Sequence, residues 1–161
     1  MENSQTSEIL IRRANFGDVD TLLEFNAALA WETEGKTLDW ELLRQGLETL
    51  LRHEDRGFYT VAEVGGRVVG QLMITYEWSD WRNAHFWWIQ SVYVSADYRR
   101  RGIYRSLHDH VRIEAEKMGG VCGLRLYVER ENHVAQQVYV SMDMYRAPYD
   151  LYEIDFVLKS N

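Results

Sequence analysis

The spacing of apolar residues along the chain predicts short strands alternating with amphipathic helices. In "WELLRQGLETLLRH" (40–53) the leucines recur every three to four positions, which is the period of a helix that buries one face. In "CGLRLYV" (122–128) apolar and polar residues alternate, as the two faces of a strand require. The predicted strands are 9–14, 58–64, 67–78, 83–94, 122–128 and 149–158, and the predicted helices are 19–30, 40–53, 104–118 and 131–142.

Turn and cap residues separate these elements. Gly65-Gly66 predicts a hairpin, Gly119-Gly120 ends a helix, and Asp18 and Asn132 are suited to cap helix starts. The order β-α-α-β-β-β-α-β-α-β predicts a mixed sheet of the α/β (α+β) class rather than a doubly wound one. No repeat or linker interrupts it, so we expect one domain over 1–161.

Composition narrows the function classes. The 161 residues are 46% hydrophobic and 27% charged, with a formal net charge of -7. This acidity argues against general nucleic-acid binding. The single cysteine, Cys122, excludes an internal disulfide and suits a cytoplasmic location, and the N-terminal residues resemble no secretory signal. No apolar run is long enough for a membrane span.

An arginine cluster stands out in this acidic chain. The stretch "YRRRGIYRSL" (98–107) follows a predicted strand and begins a predicted helix. Gly102 permits a tight turn, and the first N–H groups of the helix carry partial positive charge, so the segment could bind a phosphate or pyrophosphate. A solvated basic turn is the alternative. The segment has neither the GK[ST] of a P-loop nor a G-x-G-x-x-G fingerprint.

With these elements in place, the chain resembles the GNAT superfamily of acyl-CoA-dependent N-acyltransferases over almost its whole length. Arg99 and Gly102 match the family's Arg/Gln-x-x-Gly-x-Gly/Ala turn, whereas Tyr104 departs from it. The helix "NHVAQQVY" (132–139) matches the family's Asn-x-x-Ala-x-x-x-Tyr pattern, although Asp143-Met144 replaces the usual Gly-Phe. The loop segment "AWETEGKTLD" resembles the family's acceptor-side loop. The resemblance implies splayed central strands in the sheet.

The resemblance also implies acetyl-CoA as the acyl donor, with no metal. The backbone of Val92, Tyr93 and Val94 would bind the pantetheine arm, with Asn132 also assigned to the cofactor. The pyrophosphate would bind at Arg99, Arg100, Arg101, Gly102, Ile103, Tyr104 and Arg105. Tyr139 would be the general acid that protonates the departing thiolate. Core packing is the other interpretation of Tyr139, because it shares a helical stripe with Ala135 and Met142. His108 and His110 diverge on their helix, which disfavours a metal site.

The general base and the acceptor are less defined. The chain is similar to the small-amine and polyamine acetyltransferases of the family, some of which carry a glutamate at the position of Gln90. Glutamine cannot take a proton, so another group or water must accept it. The candidates are Glu32, Glu34, Glu77 and His85. The acceptor implied is a primary amine of a small molecule. Glu32, Glu34 and Glu77, with Asp39 and Asp80, would attract its ammonium, and Gln90 would contact it. Alternatively, these are ordinary acidic loops.

Three further alternatives stay open. A CoA-binding sensor that has lost catalysis would account for Gln90 and Tyr104, while the presence of Tyr139 and Asn132 favours an enzyme. The acceptor could be a protein or peptide amine. An interaction domain without CoA binding would leave the arginines merely solvated. Trp87 and Trp88 lie on opposite faces of their strand, so we expect at least one in the core or a dimer interface, and the many aromatics favour a homodimer.

Overall fold

The computed structural model describes residues 8–158, and these contain five strands and four helices. The chain forms two compact units, one ending at Leu126 and one beginning at Tyr127. The elements are β1 (Ile9–Arg13), α1 (Val19–Glu34), α2 (Trp40–Arg52), β2 (Gly57–Val64), β3 (Arg67–Ser79), β4 (Ala84–Val94), α3 (Ile103–Met118), β5 (Val121–Arg125) and α4 (His133–Val140).

The first unit is built on one mixed sheet. The strands lie in chain order from β1 to β5. Each neighbouring pair from β1 to β4 is antiparallel, whereas β4 and β5 are parallel and α3 connects them. A parallel pair needs a long crossover, and the helix between these strands provides it. The predicted mixed fold class is therefore confirmed.

One face of the sheet is covered by α3. Ile103, Leu107, Val111 and Ala115 are spaced four apart, so they lie on one side of the helix, and all are at most 5% exposed. Burying each leucine or isoleucine of this kind stabilises the fold by about 1.5–3 kcal/mol. Their partners on the sheet include Ala62, Val69, Leu72, Ile74, Trp87 and Ile89. This packing fixes the position of the α3 start relative to the end of β4.

The other face carries α1 and α2. Leu22 and Leu23 of α1 and Leu47 of α2 pack with Tyr59 and Val61 of β2 in a second apolar cluster. All five are at most 4% exposed. The helix α1 thereby lies against the sheet, and its C-terminal turn is placed to contact β4, as described below.

The start of α1 differs from the prediction for Asp18. The Asp18 carboxylate makes no cap hydrogen bond to α1. It instead accepts two hydrogen bonds from the Arg12 guanidinium, at 2.8 and 3.0 Å. Asn15 caps the short 3-10 turn that precedes α1, where its side chain accepts a bond from the Gly17 N–H at 2.8 Å. The ion pair with Arg12 is favoured over a cap hydrogen bond, because the Asp18 carboxylate accepts from two guanidinium nitrogens at once.

Two predicted element ends were also wrong. Helix α1 continues to Glu34 and ends at Gly35 in the left-handed conformation, so the loop is shorter than 31–39. Strand β5 ends at Arg125 rather than at 128, because its pairing with β4 stops at the Trp88–Arg125 pair and later residues have no ladder partner there. No helix within residues 8–158 has the length and apolar character needed to cross a bilayer.

The predicted last strand, 149–158, does not form. Its apolar positions alternate, but Leu151, Ile154 and Phe156 are 65%, 81% and 90% exposed. The described part of the second unit contains one helix, α4, and no strand. An alternating pattern becomes a strand only where another strand offers backbone groups to pair with, and residues 127–158 contain no such strand.

A histidine lies within the apolar face of α3. His108 is 1% exposed, and neither ring nitrogen has a hydrogen-bond partner within the described residues. Burial lowers the pKa of His108 below its usual 6.5, and the nearby Arg112 also lowers it, against the effect of Asp109. The imidazole is therefore neutral in the folded protein at pH 7.

We expect acid to destabilise the protein through His108. The unfolded chain binds this proton at a higher pH than the folded one, so the stabilisation is complete above pH 6.5 and is lost as the pH falls below it. One group contributes at most about 1.4 kcal/mol per pH unit. Urea unfolding between pH 7.5 and 5 should show a shallower pH dependence for His108→Leu. The exposed His110→Gln is the matched control and should keep the wild-type slope; equal slopes for both variants would contradict the assignment.

Candidate functional site

The sheet opens between β4 and β5. Their last pair is Trp88–Arg125, and β4 then continues through residues 89–94 along β3 alone. The edge of β4 that faced β5 is therefore outside the ladder over Val92, Tyr93 and Val94, the residues predicted to bind pantetheine. An edge of this kind offers backbone N–H and C=O groups that can pair with an extended amide-containing chain.

A basic turn follows directly after this edge. Arg100 and Gly102 both adopt left-handed backbone conformations, with φ of 63° and 78°, and α3 begins at Ile103. Within residues 8–158, no side chain makes a cap hydrogen bond at the start of α3. A left-handed turn that leads into a helix start directs several N–H groups to one side, which is the arrangement that binds anions. Glycine suits position 102 because a side chain would strain the left-handed backbone.

The arginines of the turn have different surroundings. The Arg101 guanidinium lies 5.2 Å from the centre of the Tyr98 ring, and Arg100 is exposed. Arg105 is exposed on the first turn of α3, whereas the Ile103 side chain is buried in the core. Only the backbone of Ile103 can therefore contact a ligand. The charges of Arg100 and Arg101 are the ones that the turn presents to solvent.

Arg99 instead connects the turn to α1. Its Nε donates to the carbonyl of Val94 at 2.9 Å, and its Nη2 donates to Glu32 Oε2 at 2.6 Å. The other oxygen of Glu32 accepts from the Tyr93 hydroxyl at 2.9 Å. Burial, together with the Glu32 carboxylate, raises the pKa of Tyr93. Arg99, Tyr93 and Glu32 thus form one cluster of side chains. The cluster connects the residues predicted to bind the cofactor with the segment predicted to lie on the acceptor side.

Tyr104 does not fill the turn. Its ring packs on His108 one helical turn later, with 5.9 Å between the ring centres. The side chains of a helix point back toward its N-terminus, but an (i, i+4) aromatic contact holds this ring against the helix surface. The departure from the family's small residue is thereby accommodated on α3.

The predicted acidic residues lie at different places. Glu34 pairs with Lys36 at 2.6 Å, and Glu77 pairs with Arg125. Glu77 on β3 pairs with Phe86 on β4, and Phe86 lies seven residues before Tyr93, the β4 residue that Glu32 contacts. Glu77 therefore lies roughly 20 Å along the strand from the Tyr93–Glu32 contact. Asp39 caps α2 and Asp80 accepts the Trp81 N–H, so these two carboxylates also have local partners.

The remaining candidates on β4 are also distributed along the strand. His85 pairs with Trp78 near the strand start, about 17 Å from Gln90. The Gln90 amide donates to the Thr75 hydroxyl. Trp87 is 2% exposed whereas Trp88 is half-buried, so Trp87 lies in the core and confirms the prediction that at least one of the two lies in the core or a dimer interface.

Strand β4 contains an irregularity that its sequence pattern does not predict. Gln71 pairs with Tyr93 and Met73 pairs with Gln90, so β4 contains one residue more than β3 between these pairs. This bulge includes Ser91, whose φ is 50°. The signal available in the sequence was Gln71, a polar residue within an apolar strand segment, and it is fully buried.

The second unit contains Tyr139, the predicted general acid. Helix α4 carries Tyr139, and Asn132 caps that helix by accepting the Ala135 N–H at 3.1 Å, as predicted. Burial raises the pKa of Tyr139 above its usual 10. The phenol therefore keeps its proton at neutral pH, which a general acid requires.

The first unit therefore combines an open strand edge with a left-handed basic turn that leads into a helix start. The family model for the acetyltransferase (GNAT) family matches residues 21–144. The chain belongs to this family.

Solved structures of other proteins are similar to this chain over almost its whole length. A possible acetyltransferase from Clostridium difficile 630 is 47% identical, with a TM-score of 0.86 over 93% of this chain and 99% of that one. A probable acetyltransferase is 22% identical, with a TM-score of 0.82 over 93% and 99%. A predicted acetyltransferase with acetyl-CoA from Clostridium acetobutylicum is 16% identical, with a TM-score of 0.75 over 91% and 96%. The comparison with curated proteins finds no match.

Proposed function

We propose that this protein is an N-acetyltransferase that moves an acetyl group from acetyl-CoA to a primary amine of a small molecule. The observation that carries the proposal is the opening of β4 from β5 directly before the left-handed, uncapped turn at Arg100–Gly102. The edge would bind the pantetheine arm, and the turn would bind the pyrophosphate. Acetyl-CoA would supply an activated thioester carbonyl.

The transfer would be direct, within a ternary complex. The amine nitrogen forms a bond to the acetyl carbon while the carbon–sulfur bond breaks, and the departing thiolate takes a proton from Tyr139. The Tyr139 phenolate then regains a proton from water, which has received the one that the amine loses. A backbone N–H of β4 would stabilise the negative charge that develops on the carbonyl oxygen. Water would accept the proton of the amine, because Gln90 cannot take one and Glu32, Glu34 and Glu77 are each paired with a cation. His85 lies about 17 Å from Gln90 along β4.

We infer that the acceptor is not a polycation. Glu32, Glu34 and Glu77 each have a cationic partner, so these three carboxylates offer little unbalanced negative charge to additional ammonium groups. A compact molecule with one amine fits this balance of charges better.

We further propose that the protein is a single acetyltransferase domain, is located in the cytoplasm and forms a homodimer. The exposed Trp31, Trp78 and Trp81 support the homodimer. Sedimentation of the purified protein would test the dimer.

Titration calorimetry is the experiment that tests the proposal. We expect acetyl-CoA to bind with micromolar affinity and a pantetheine fragment without the pyrophosphate to bind far more weakly. Thiol release with a panel of small amines, and with peptides as a second panel, then identifies the acceptor class. Binding without turnover on any amine would favour the sensor alternative, and absence of binding would contradict both.

A further inference from the structure

The bulge of β4 is held by buried polar side chains. Ser91 has a left-handed backbone, which is unfavourable for a residue other than glycine, and it lies in the part of β4 that extends past the β5 ladder. A strained residue of this kind persists only where its surroundings fix it, and such residues occur mainly at functional sites.

The first support comes from β3. Gln71 is fully buried, and its Nε2 donates to the Ser91 carbonyl at 2.9 Å. The extra residue of the bulge interrupts the regular ladder between β3 and β4. The Gln71 amide therefore provides a donor for a carbonyl in the interrupted stretch.

The second support comes from β2 and α1. The Tyr59 hydroxyl interacts with the Ser91 side chain and accepts a hydrogen bond from Asn26 Nδ2 at 3.2 Å. The same Nδ2 donates to the Leu22 carbonyl within α1 at 2.8 Å. Tyr59 and Asn26 are 4% and 6% exposed. Burial raises the pKa of Tyr59, so its hydroxyl stays protonated.

We propose that Asn26, Tyr59 and Gln71 are positioning residues for acetyl transfer, which hold the Ser91 bulge so that the open stretch of β4 presents its backbone to the thioester carbonyl. They do not touch the substrate themselves. They fix Ser91 at its carbonyl and its side chain, and they link it to the helix that carries Glu32. This inference rests on the proposed function.

The shape of the bulge matters because the reacting groups must be placed precisely. A hydrogen-bond donor stabilises a developing charge only within a narrow range of distance and direction. If the bulge relaxed, the β4 backbone near Ser91 would rotate, while the pyrophosphate turn at 99–102 would keep its own geometry. Loss of the network should therefore lower kcat and leave acetyl-CoA binding intact.

Tyr59→Phe tests the inference with the smallest change. The phenylalanine keeps the packing against Leu22 and Leu23, but it breaks the connection between Asn26 and Ser91. We expect kcat to fall about ten-fold, as for a small misplacement of catalytic groups, with the KM for acetyl-CoA and the calorimetric Kd unchanged. Tyr76→Phe is the matched control. It removes a tyrosine hydroxyl from β3 that bonds the Glu54 carbonyl, and it should keep the wild-type kcat.

A glycine at position 91 distinguishes a positioning role of Tyr59 from a role only in the stability of the fold. Glycine adopts a positive φ without strain, so the bulge would depend less on the network. We expect the double variant Tyr59→Phe/Ser91→Gly to recover the kcat of Ser91→Gly alone. A merely structural role of Tyr59 would lower the unfolding temperature without this recovery, which would overturn the inference.

NMR gives a readout that does not need turnover. The Cα and Cβ shifts of Ser91 report its positive φ in the wild type, and Tyr59→Phe should move them toward extended values. A wild type without transferase activity would refute the proposed function, and the shifts would still decide whether Tyr59 holds the bulge. Unchanged shifts, or an unchanged kcat in an active enzyme, would overturn the inference.

Discussion

Tyr139→Phe is expected to lower kcat about 100-fold or more, the usual contribution of a general acid. The substitution removes one hydroxyl group, so the half-buried ring can keep its packing on α4. The KM for acetyl-CoA should change little, because the acid acts on the sulfur only as the carbon–sulfur bond breaks. Steady-state thiol release, with each substrate varied in turn, measures both quantities.

The pH profile adds a second test of the same residue. Burial raises the pKa of Tyr139 above its usual value near 10, so the phenol stays protonated across the neutral range. The wild-type kcat should therefore decline on the alkaline side only above pH 10 or so, and Tyr139→Phe should lose this decline. Tyr145→Phe, an exposed tyrosine of the same unit, is the matched control. Equal turnover of the Tyr139 and Tyr145 variants would leave Tyr139 with a packing role only.

Local patterns predicted most of the first unit. The four-residue spacing of apolar positions on α3 and the Gly65-Gly66 hairpin both depend on neighbours close in the sequence, and both were confirmed. The turn at Arg99–Gly102 was predicted for the same reason, since glycine is one of the residues preferred directly before a helix start. The existence of the open edge of β4 was expected only through the family resemblance.

Contacts between distant residues could not be predicted. Arg99 and Glu32 are 67 positions apart, and nothing in either segment indicates that they pair. The bulge at Ser91 depends on Gln71, Tyr59 and Asn26, which come from three other elements. In the C-terminal segment the alternating pattern was present, but the pairing partner that a strand needs is not a property of the segment itself.

Charge reversal in the turn is expected to give the largest loss of cofactor affinity. In Arg100→Glu/Arg101→Glu, two cations near the pyrophosphate become anions, while the left-handed turn and α3 are kept. Each charge-assisted hydrogen bond contributes about 1.5–3 kcal/mol, so acetyl-CoA should bind about 100-fold more weakly or worse. Calorimetry at two salt concentrations measures this loss, which should be smaller at high salt because ions screen exposed charges.

A second charge reversal, far from the turn, makes the result specific. Arg44→Glu/Arg52→Glu on α2 changes the net charge by the same amount, and these arginines pair with Asp20 of α1 and Glu48 of α2. This variant should bind acetyl-CoA like the wild type. A fragment without the pyrophosphate should bind all three proteins alike, because it does not reach the arginines. If both charge reversals weaken acetyl-CoA equally, the acidity of the whole protein governs binding; if neither does, the pyrophosphate binds elsewhere and the turn at 99–102 is only a solvated loop.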